Sequence, residues 1–79
     1  MTAGIRRLNL APGETVFREG DDSRTLYVIE TGAVEIRRGG AVIAVIADPG
    51  SYLGEMSFLL DRRRTGTAVA LERSVILAI

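Results

Sequence analysis

The stretch with the clearest chemical potential is residues 52–70, YLGEMSFLLDRRRTGTAVA. It places a Gly54-Glu55 pair before a short apolar segment, which is followed by three consecutive arginines and a threonine-rich strand. Glycine lets a ligand approach the backbone closely because it has no Cβ. The first N–H groups of a helix that begins at Glu55 have no intrahelical partners and favour an anion. An arginine returning to that point would complete a phosphate site through a two-pronged, charge-assisted contact.

The segment after Gly54 has helical spacing. Met56, Leu59 and Leu60 occupy positions i, i+3 and i+4, so they share one face of a helix. Asp61 then begins a polar run that ends it. The pattern predicts one short helix over residues 55–60. Spacing alone also fits a small helix that only caps a sheet, because a lone Gly-Glu pair and an arginine cluster are weak signals.

The bulk properties restrict the class of protein. The chain has 79 residues, which predicts one domain over residues 1–79, and its formal net charge is zero. That balance argues against direct nucleic-acid binding and against membrane-surface binding, which both favour a basic excess. The apolar runs are short and residues 1–10 lack the apolar core of a secretory signal. The sequence therefore predicts a cytoplasmic protein without membrane insertion.

Histidine and cysteine are both absent from the sequence. Their absence excludes disulfides, imidazole or thiolate metal sites and Ser-His-Asp chemistry. The remaining carboxylates and hydroxyls form no recognisable catalytic set. The sequence therefore predicts neither catalytic nor metal-binding residues, and it disfavours a small cupin-like enzyme.

Short strands separated by glycine or proline turns account for most of the chain. Gly39-Gly40 predicts a two-residue hairpin, and Gly20 is expected to adopt a positive φ. The run at residues 41–47 is nearly all apolar, so we expect it to be covered on both faces. The pattern indicates a mainly β protein, an antiparallel jelly roll (double-stranded β-helix) of about eight strands with one short phosphate-binding helix. The expected strands include residues 7–10, 15–17, 26–30, 33–38, 41–47, 65–70 and 75–79.

Two sequence segments together resemble the cyclic nucleotide-binding domain family of catabolite-activator-type regulators, cyclic-nucleotide-gated channels and kinase regulatory subunits. The first is LAPGETVFREGDDSRTLYVIETGAVEI, with its Pro-Gly-Glu turn, Glu-Gly-Asp loop and Leu-Tyr-Val-Ile strand. The second is the stretch from Gly54 onward, which is similar to the family's phosphate-binding cassette. Both segments occur in the family's order and at its separation, and the resemblance covers nearly the whole chain.

The resemblance implies roles for individual residues. Glu55 matches the glutamate that holds the ribose 2′-hydroxyl, and Arg64 matches the arginine that pairs with the cyclic phosphate. Gly54 lies where the backbone meets the sugar. Arg63 is an alternative phosphate ligand because the family's loop varies by one residue. Residues 65–67, Thr-Gly-Thr, follow Arg64 directly and favour it.

Three further cassette residues belong to the implied ligand-binding set. Ser57 stands where the family usually has alanine, and its N–H is expected to bond a phosphate oxygen. Thr65 offers a second N–H, and Met56 lies between Glu55 and Ser57. In the family a threonine at position 65 favours cyclic GMP, although many members with it respond to cyclic AMP. The implied ligand is therefore cyclic AMP or cyclic GMP, and no cofactor is expected.

The chain also departs from the family pattern. Gly66 stands where a second small residue, usually alanine, follows the arginine, and we expect it to loosen the strand. The sequence stops at Ile79, where the family continues into helices that close over the base, so the expected domain lacks those C-terminal helices. An open end of this kind also predicts a homodimer, because bare apolar surface and unpaired strand edges favour self-association.

Two functions follow from the resemblance. The first is a cyclic nucleotide sensor module of a bacterial regulatory protein, which signals by ligand binding without catalysis. The alternative is a degenerate domain that no longer binds nucleotide and acts in protein interactions. Internal pairing of Arg64 with Glu55 or Asp61 would mark the alternative.

Overall fold

The computed structural model describes residues 4–21, 25–54 and 63–79. All regular structure in these residues is β, and every strand pairing is antiparallel. The helix predicted at residues 55–60 lies outside the described part of the chain. The strands are β1 (Arg6–Leu10), β2 (Thr15–Phe17), β3 (Tyr27–Thr31), β4 (Val34–Arg38), β5 (Ala41–Ile46), β6 (Tyr52–Leu53), β7 (Thr67–Ala70) and β8 (Ser74–Ala78).

The eight strands form two four-stranded sheets. One sheet has the order β1-β8-β3-β6 and the other has the order β2-β7-β4-β5. Apart from the β4–β5 hairpin, strands that follow one another in the sequence lie in different sheets. This arrangement confirms the predicted antiparallel jelly roll.

The core lies between the two sheets. In β8 the inward positions alternate as Ser74, Ile76 and Ala78, with half-buried residues between them, as the two-residue period of a strand requires. Each fully buried large apolar side chain contributes about 1.5–3 kcal/mol to stability. Both sheets supply the core, which comprises Phe17, Tyr27, Ile29, Val34, Leu53, Ala68, Ile76 and Ala78.

The turns have the conformations that their residues predict. Gly13 has a φ of 89°, and the Glu14 N–H donates to the Ala11 carbonyl at 3.1 Å, consistent with a type II turn. Gly39 and Gly40 have φ angles of 57° and 83°, so the hairpin between β4 and β5 has positive φ at both central positions. The expected positive φ at Gly20 is also present, at 88°.

Two differences in strand assignment have local causes. β6 was not predicted, because two residues are too few to show an alternating pattern; it is fixed by pairing of Leu53 with Tyr27 on β3. β7 begins at Thr67 rather than at residue 65. The backbone of Arg64 instead forms hydrogen bonds with Gly20 and Asp21 in the loop after β2. These bonds hold residues 65 and 66 out of the sheet.

The expectation that residues 41–47 are covered on both faces is wrong for the structure described. β5 is the edge strand of its sheet, and its first five residues are exposed. Only Ile46 is half-buried. A continuous apolar run is typical of a strand with neighbours on each side and cover on both faces, and β5 has β4 as its one neighbour in the described part of the chain.

Two glycines allow close backbone approaches. A Cβ on Gly66 would lie 2.9 Å from the Arg37 carbonyl oxygen, so Gly66 lets the chain just before β7 approach β4 closely. The expectation that Gly66 loosens the strand stays a prediction. Gly32 lies against Ser74, where a Cβ would come within 2.6 Å of the Ser74 Cα. The buried Ser74 hydroxyl accepts a hydrogen bond from the Ala33 N–H at 3.2 Å and donates to the Glu72 carbonyl at 2.8 Å.

Candidate functional site

The backbone of Arg64 is fixed by the loop that follows β2. The Arg64 N–H donates to the Asp21 carbonyl at 2.9 Å, and the Gly20 N–H donates to the Arg64 carbonyl at 2.8 Å. The loop is closed by the Arg18 N–H, which donates to the Asp21 carboxylate at 2.9 Å. Residues more than forty positions apart in the sequence therefore set where the arginine side chain begins.

The Arg64 side chain lies inside the roll and is 2% exposed. Its Nη1 donates to the Gly54 carbonyl at 2.9 Å, and its Nη2 donates to the Thr25 carbonyl. The guanidinium carbon lies 4.6 Å from the centre of the Phe17 ring and 5.4 Å from that of Tyr27. An aromatic pair on β2 and β3 thus supports the cation by cation–π attraction.

The described residues compensate the buried positive charge of Arg64 only in part. The Nε of Arg64 is buried without a hydrogen-bond partner, and no ion pair to Arg64 occurs among the described residues. Burial lowers the pKa of the Arg64 guanidinium, because desolvation penalises the charged form, while Tyr27 and Asp21 offset part of this effect. Arginine nevertheless stays protonated in proteins. The site therefore holds a fixed positive charge with an unsatisfied donor, which suits an anionic ligand.

The two candidate arginines differ sharply in environment. Arg63 is exposed, and its Nη1 is 3.4 Å from the Gly20 carbonyl oxygen. Arg64 is buried beside Gly54. This difference favours Arg64 over Arg63 as the phosphate ligand, and the assignment stays a prediction.

Gly54 lies so close to the Arg64 guanidinium that any larger residue would displace it. An ideal Cβ on Gly54 would lie 1.9 Å from Arg64 Nη1 and 2.9 Å from Cζ. Gly54 also has a φ of 77°, a conformation that L-residues rarely adopt. The sequence predicts Gly54 as a point where a ligand approaches the backbone, and in the structure the Arg64 guanidinium lies against it.

Thr65 accepts hydrogen bonds from Arg38 on β4. Arg38 donates from Nε to the Thr65 carbonyl at 3.0 Å and from Nη2 to the Thr65 hydroxyl at 3.4 Å. Thr65 is exposed, so its hydroxyl lies at the surface next to the β4–β5 hairpin. The remaining predicted site residues, Glu55, Met56 and Ser57, lie outside the described part of the chain, as does Asp61.

Sequence reasoning missed four residues that build this site. Phe17 and Tyr27 were assigned only to strands, because nothing in a two-residue period distinguishes a ring that contacts a cation from one that fills a core. Thr25 contributes its carbonyl oxygen, which side-chain identity does not reveal. Arg38 belongs to an Arg37-Arg38 pair at the hairpin, and this pair was the one signal that could have marked it.

The comparisons with known proteins decide the family. Residues 7–79 match the sequence pattern of the family described as "Cyclic nucleotide-binding domain". The chain belongs to the cyclic nucleotide-binding domain family. The match spans the β-roll from β1 to β8 and includes Arg64.

Similar proteins carry this domain within longer chains. The chain is 37% identical over 71 residues to the acetyltransferase Pat of Mycolicibacterium smegmatis, a match that covers 86% of this chain and 21% of that protein. It is 34% identical over 71 residues to the cyclic AMP receptor protein of Thermus thermophilus, with 85% and 33% covered. The chain thus spans about a fifth to a third of the length of these two relatives.

A solved structure supports the same family at the level of the fold. The catabolite activator protein of Thermus thermophilus superposes with a TM-score of 0.83 and is 34% identical, and the match covers 95% of this chain and 37% of that one. Cyclic nucleotide-binding domains are typically regulatory, although the acetyltransferase is an enzyme as a whole protein. Among the described residues, no helix has the length and apolarity needed to cross a membrane, and no acidic cluster could hold a metal ion.

We expect Gly54→Ala to displace the Arg64 guanidinium, because the added Cβ would overlap Nη1 and the positive φ disfavours alanine. The expected result is a weaker affinity for an anionic ligand and a loss of about 1–2 kcal/mol in the free energy of unfolding from the backbone alone. Titration calorimetry and urea unfolding would measure the two effects.

Gly50→Ala is the matched control for this change. Gly50 has a φ of 87°, and nothing lies within 4 Å of a Cβ placed there. The Gly50→Ala variant should lose free energy of unfolding because of its positive φ, but its affinity for an anionic ligand should not change. Equal affinities for the Gly54→Ala variant and the wild type would contradict the placement of Arg64.

Proposed function

We propose that this cyclic nucleotide-binding domain is a sensor module that binds cyclic AMP or cyclic GMP and has no catalytic activity of its own. The observation that carries the proposal is the buried Arg64 guanidinium, whose Nε has no hydrogen-bond partner in the described part of the chain. Among the residues that the structure describes, no carboxylate pairs with this buried cation, and a buried charge that lacks a partner is costly. Charged groups in strongly perturbed environments cluster at functional sites. The anion that would offset this charge is the cyclic phosphodiester.

The contacts among the described residues leave Nε, which is itself buried, as the guanidinium nitrogen without a partner. Nη1 and Nη2 are oriented by the Gly54 and Thr25 carbonyls, and the ring faces of Phe17 and Tyr27 lie against the cation. A phosphate oxygen at Nε would satisfy the remaining donor and form a charge-assisted hydrogen bond. The site would thus gain an anion while keeping the protein contacts that hold the arginine.

The other roles in this proposal rest on the family resemblance. Glu55 would hold the ribose 2′-hydroxyl, and the N–H groups of Ser57 and Thr65 would contact phosphate oxygens, with Met56 in the same cassette. Cyclic AMP is our first candidate, in keeping with a relative named as a cyclic AMP receptor protein. Within a longer bacterial regulatory protein in the cytoplasm, ligand binding here would control an effector segment.

One observation favours a second function. Two of the three guanidinium nitrogens already bond backbone carbonyls, so Arg64 is partly satisfied by the protein itself. In this alternative the domain has kept its roll, no longer binds nucleotide, and acts in protein interactions. The two functions differ in whether an anion can reach Arg64.

Calorimetric titration of the folded chain with cyclic AMP and cyclic GMP separates them. If the sensor proposal is right, a cyclic nucleotide releases heat, and ligand at 100 times its Kd stabilises the fold by about 2.7 kcal/mol. Linear 5′-AMP, which carries a phosphate monoester rather than the cyclic diester, is the control and should bind more weakly. Absence of heat and of thermal stabilisation at millimolar ligand would reject the sensor proposal in favour of the degenerate domain.

A further inference from the structure

The strongest feature outside the ligand site is the exposed apolar edge strand β5, Ala41–Ile46. Its sequence is AVIAVI, without a charge, proline or polar residue. Val42, Ile43 and Val45 are 54%, 50% and 57% exposed. Edge strands of soluble proteins usually carry charges or proline that block further pairing, and β5 carries none.

A β-bulge places two of these side chains together on the outer face. Ile36 of β4 faces Ala44, whereas Arg37 faces Val42, so Ile43 is an extra residue on β5. Val45 faces Glu35, and Arg37 donates from Nε to the Glu35 carboxylate at 2.7 Å, which puts Glu35 and Arg37 on one face. Val42 and Val45 therefore lie on that same face, three residues apart.

We propose that β5 pairs with β5 of a second copy of this chain, antiparallel, to join two four-stranded sheets into one eight-stranded sheet. In the register centred between Ile43 and Ala44, each Val42 lies opposite the other copy's Val45. The two exposed valines of one copy thus cover those of the other, as cross-strand apolar pairs do. The open edge also supplies the backbone donors and acceptors for the new pairing.

The charges at the ends of the hairpin specify a second copy in antiparallel orientation. The turn end of β4–β5 carries Arg37, which pairs with Glu35, and Arg38, which donates to Thr65. The opposite end carries Asp48. Antiparallel pairing brings each Asp48 to the turn end of the other copy, so unlike charges meet. Parallel pairing would instead bring the two Asp48 carboxylates together, which is unfavourable. The zero formal net charge of the chain removes a general repulsion between copies.

Sedimentation equilibrium over a concentration series tests the proposed dimer. The wild-type chain should dimerise reversibly, and Val45→Lys should weaken the dimer by at least about tenfold, since it introduces two edge lysines per dimer. Leu71→Lys is the matched control, because Leu71 is 44% exposed and lies outside β5. A chain that stays monomeric, or equal weakening of the dimer by both variants, would overturn the proposal. The partner of β5 would then be another chain segment or a different protein.

Cysteine crosslinking tests the register, and the native chain contains no cysteine. Val42 and the other copy's Val45 would have Cα atoms about 4.5–5.5 Å apart, within the range that a disulfide spans. Oxidation of a mixture of Val42→Cys and Val45→Cys chains should therefore give a crosslinked heterodimer. Each variant alone should crosslink much less, because like positions are offset by three residues, roughly 10 Å. Equal crosslinking in all three samples would refute the register.

Discussion

Replacement of Arg64 by alanine is expected to weaken cyclic nucleotide binding by about 2–5 kcal/mol, the effect of removing one partner of a desolvated charge pair. This corresponds to a loss of roughly 30-fold to several thousand-fold in affinity. The reason is structural: the guanidinium is buried, oriented by two carbonyls and two rings, and unsatisfied at Nε. Calorimetric titration of the variant with cyclic AMP and cyclic GMP measures the change.

Two variants make this result specific to the guanidinium. Arg63→Ala removes the neighbouring arginine, which is exposed, and should change the affinity little. Arg64→Lys keeps the positive charge but loses the planar fork of donors, so its affinity should fall between those of the wild type and Arg64→Ala. If Arg63→Ala abolished binding and Arg64→Ala did not, the phosphate ligand would be displaced by one residue from our assignment.

The largest effect on stability is expected for Gly32→Ala. The new Cβ would lie 2.1 Å from the Ser74 Oγ and 2.6 Å from the Ser74 Cα, and the backbone φ at Gly32 is 102°. Overpacking against the backbone and an unfavourable φ together should lower the free energy of unfolding by about 2–5 kcal/mol. A domain of this size has roughly 4–12 kcal/mol in total, so the variant should be close to unfolding. Urea unfolding followed by circular dichroism measures the loss.

Gly13→Ala isolates the steric part of this effect. Gly13 has a φ of 89°, close to that of Gly32, but a Cβ there meets nothing within 4 Å. The Gly13→Ala variant should lose only about 1–2 kcal/mol, the usual cost of a positive φ. Similar losses for Gly13→Ala and Gly32→Ala would show that the contact with Ser74 costs nothing and would contradict the close packing of β3 against β8.

The sequence was sufficient for the parts of the fold that depend on local chemistry. Gly13, Gly20 and the Gly39-Gly40 pair predicted their turns because positive φ is a property of single residues. The strands between them follow from short β-forming segments that these turns bound. The exposure of β5 could not be predicted in this way, since an apolar run does not reveal whether its strand lies at the centre or at the edge of a sheet.

The candidate site could likewise be predicted from the sequence only in part. Arg64 and Gly54 were selected from sequence, and the structure brings them into contact at 2.9 Å. The carbonyl of Thr25 and the rings of Phe17 and Tyr27 could not be selected, because their roles arise from packing between distant strands. The roles of the cassette residues Glu55, Met56 and Ser57 remain predictions.

The backbone bonds between Arg64 and residues 20–21 have a consequence for the energetics of recognition. A flexible arginine loses conformational freedom when it captures an anion, and that loss reduces affinity. Here the main chain of Arg64 is already bonded on both sides, and its side chain is confined by two carbonyls and two rings. The entropy of ordering this arginine is therefore lost when the chain folds, so a ligand meets a preorganised cation.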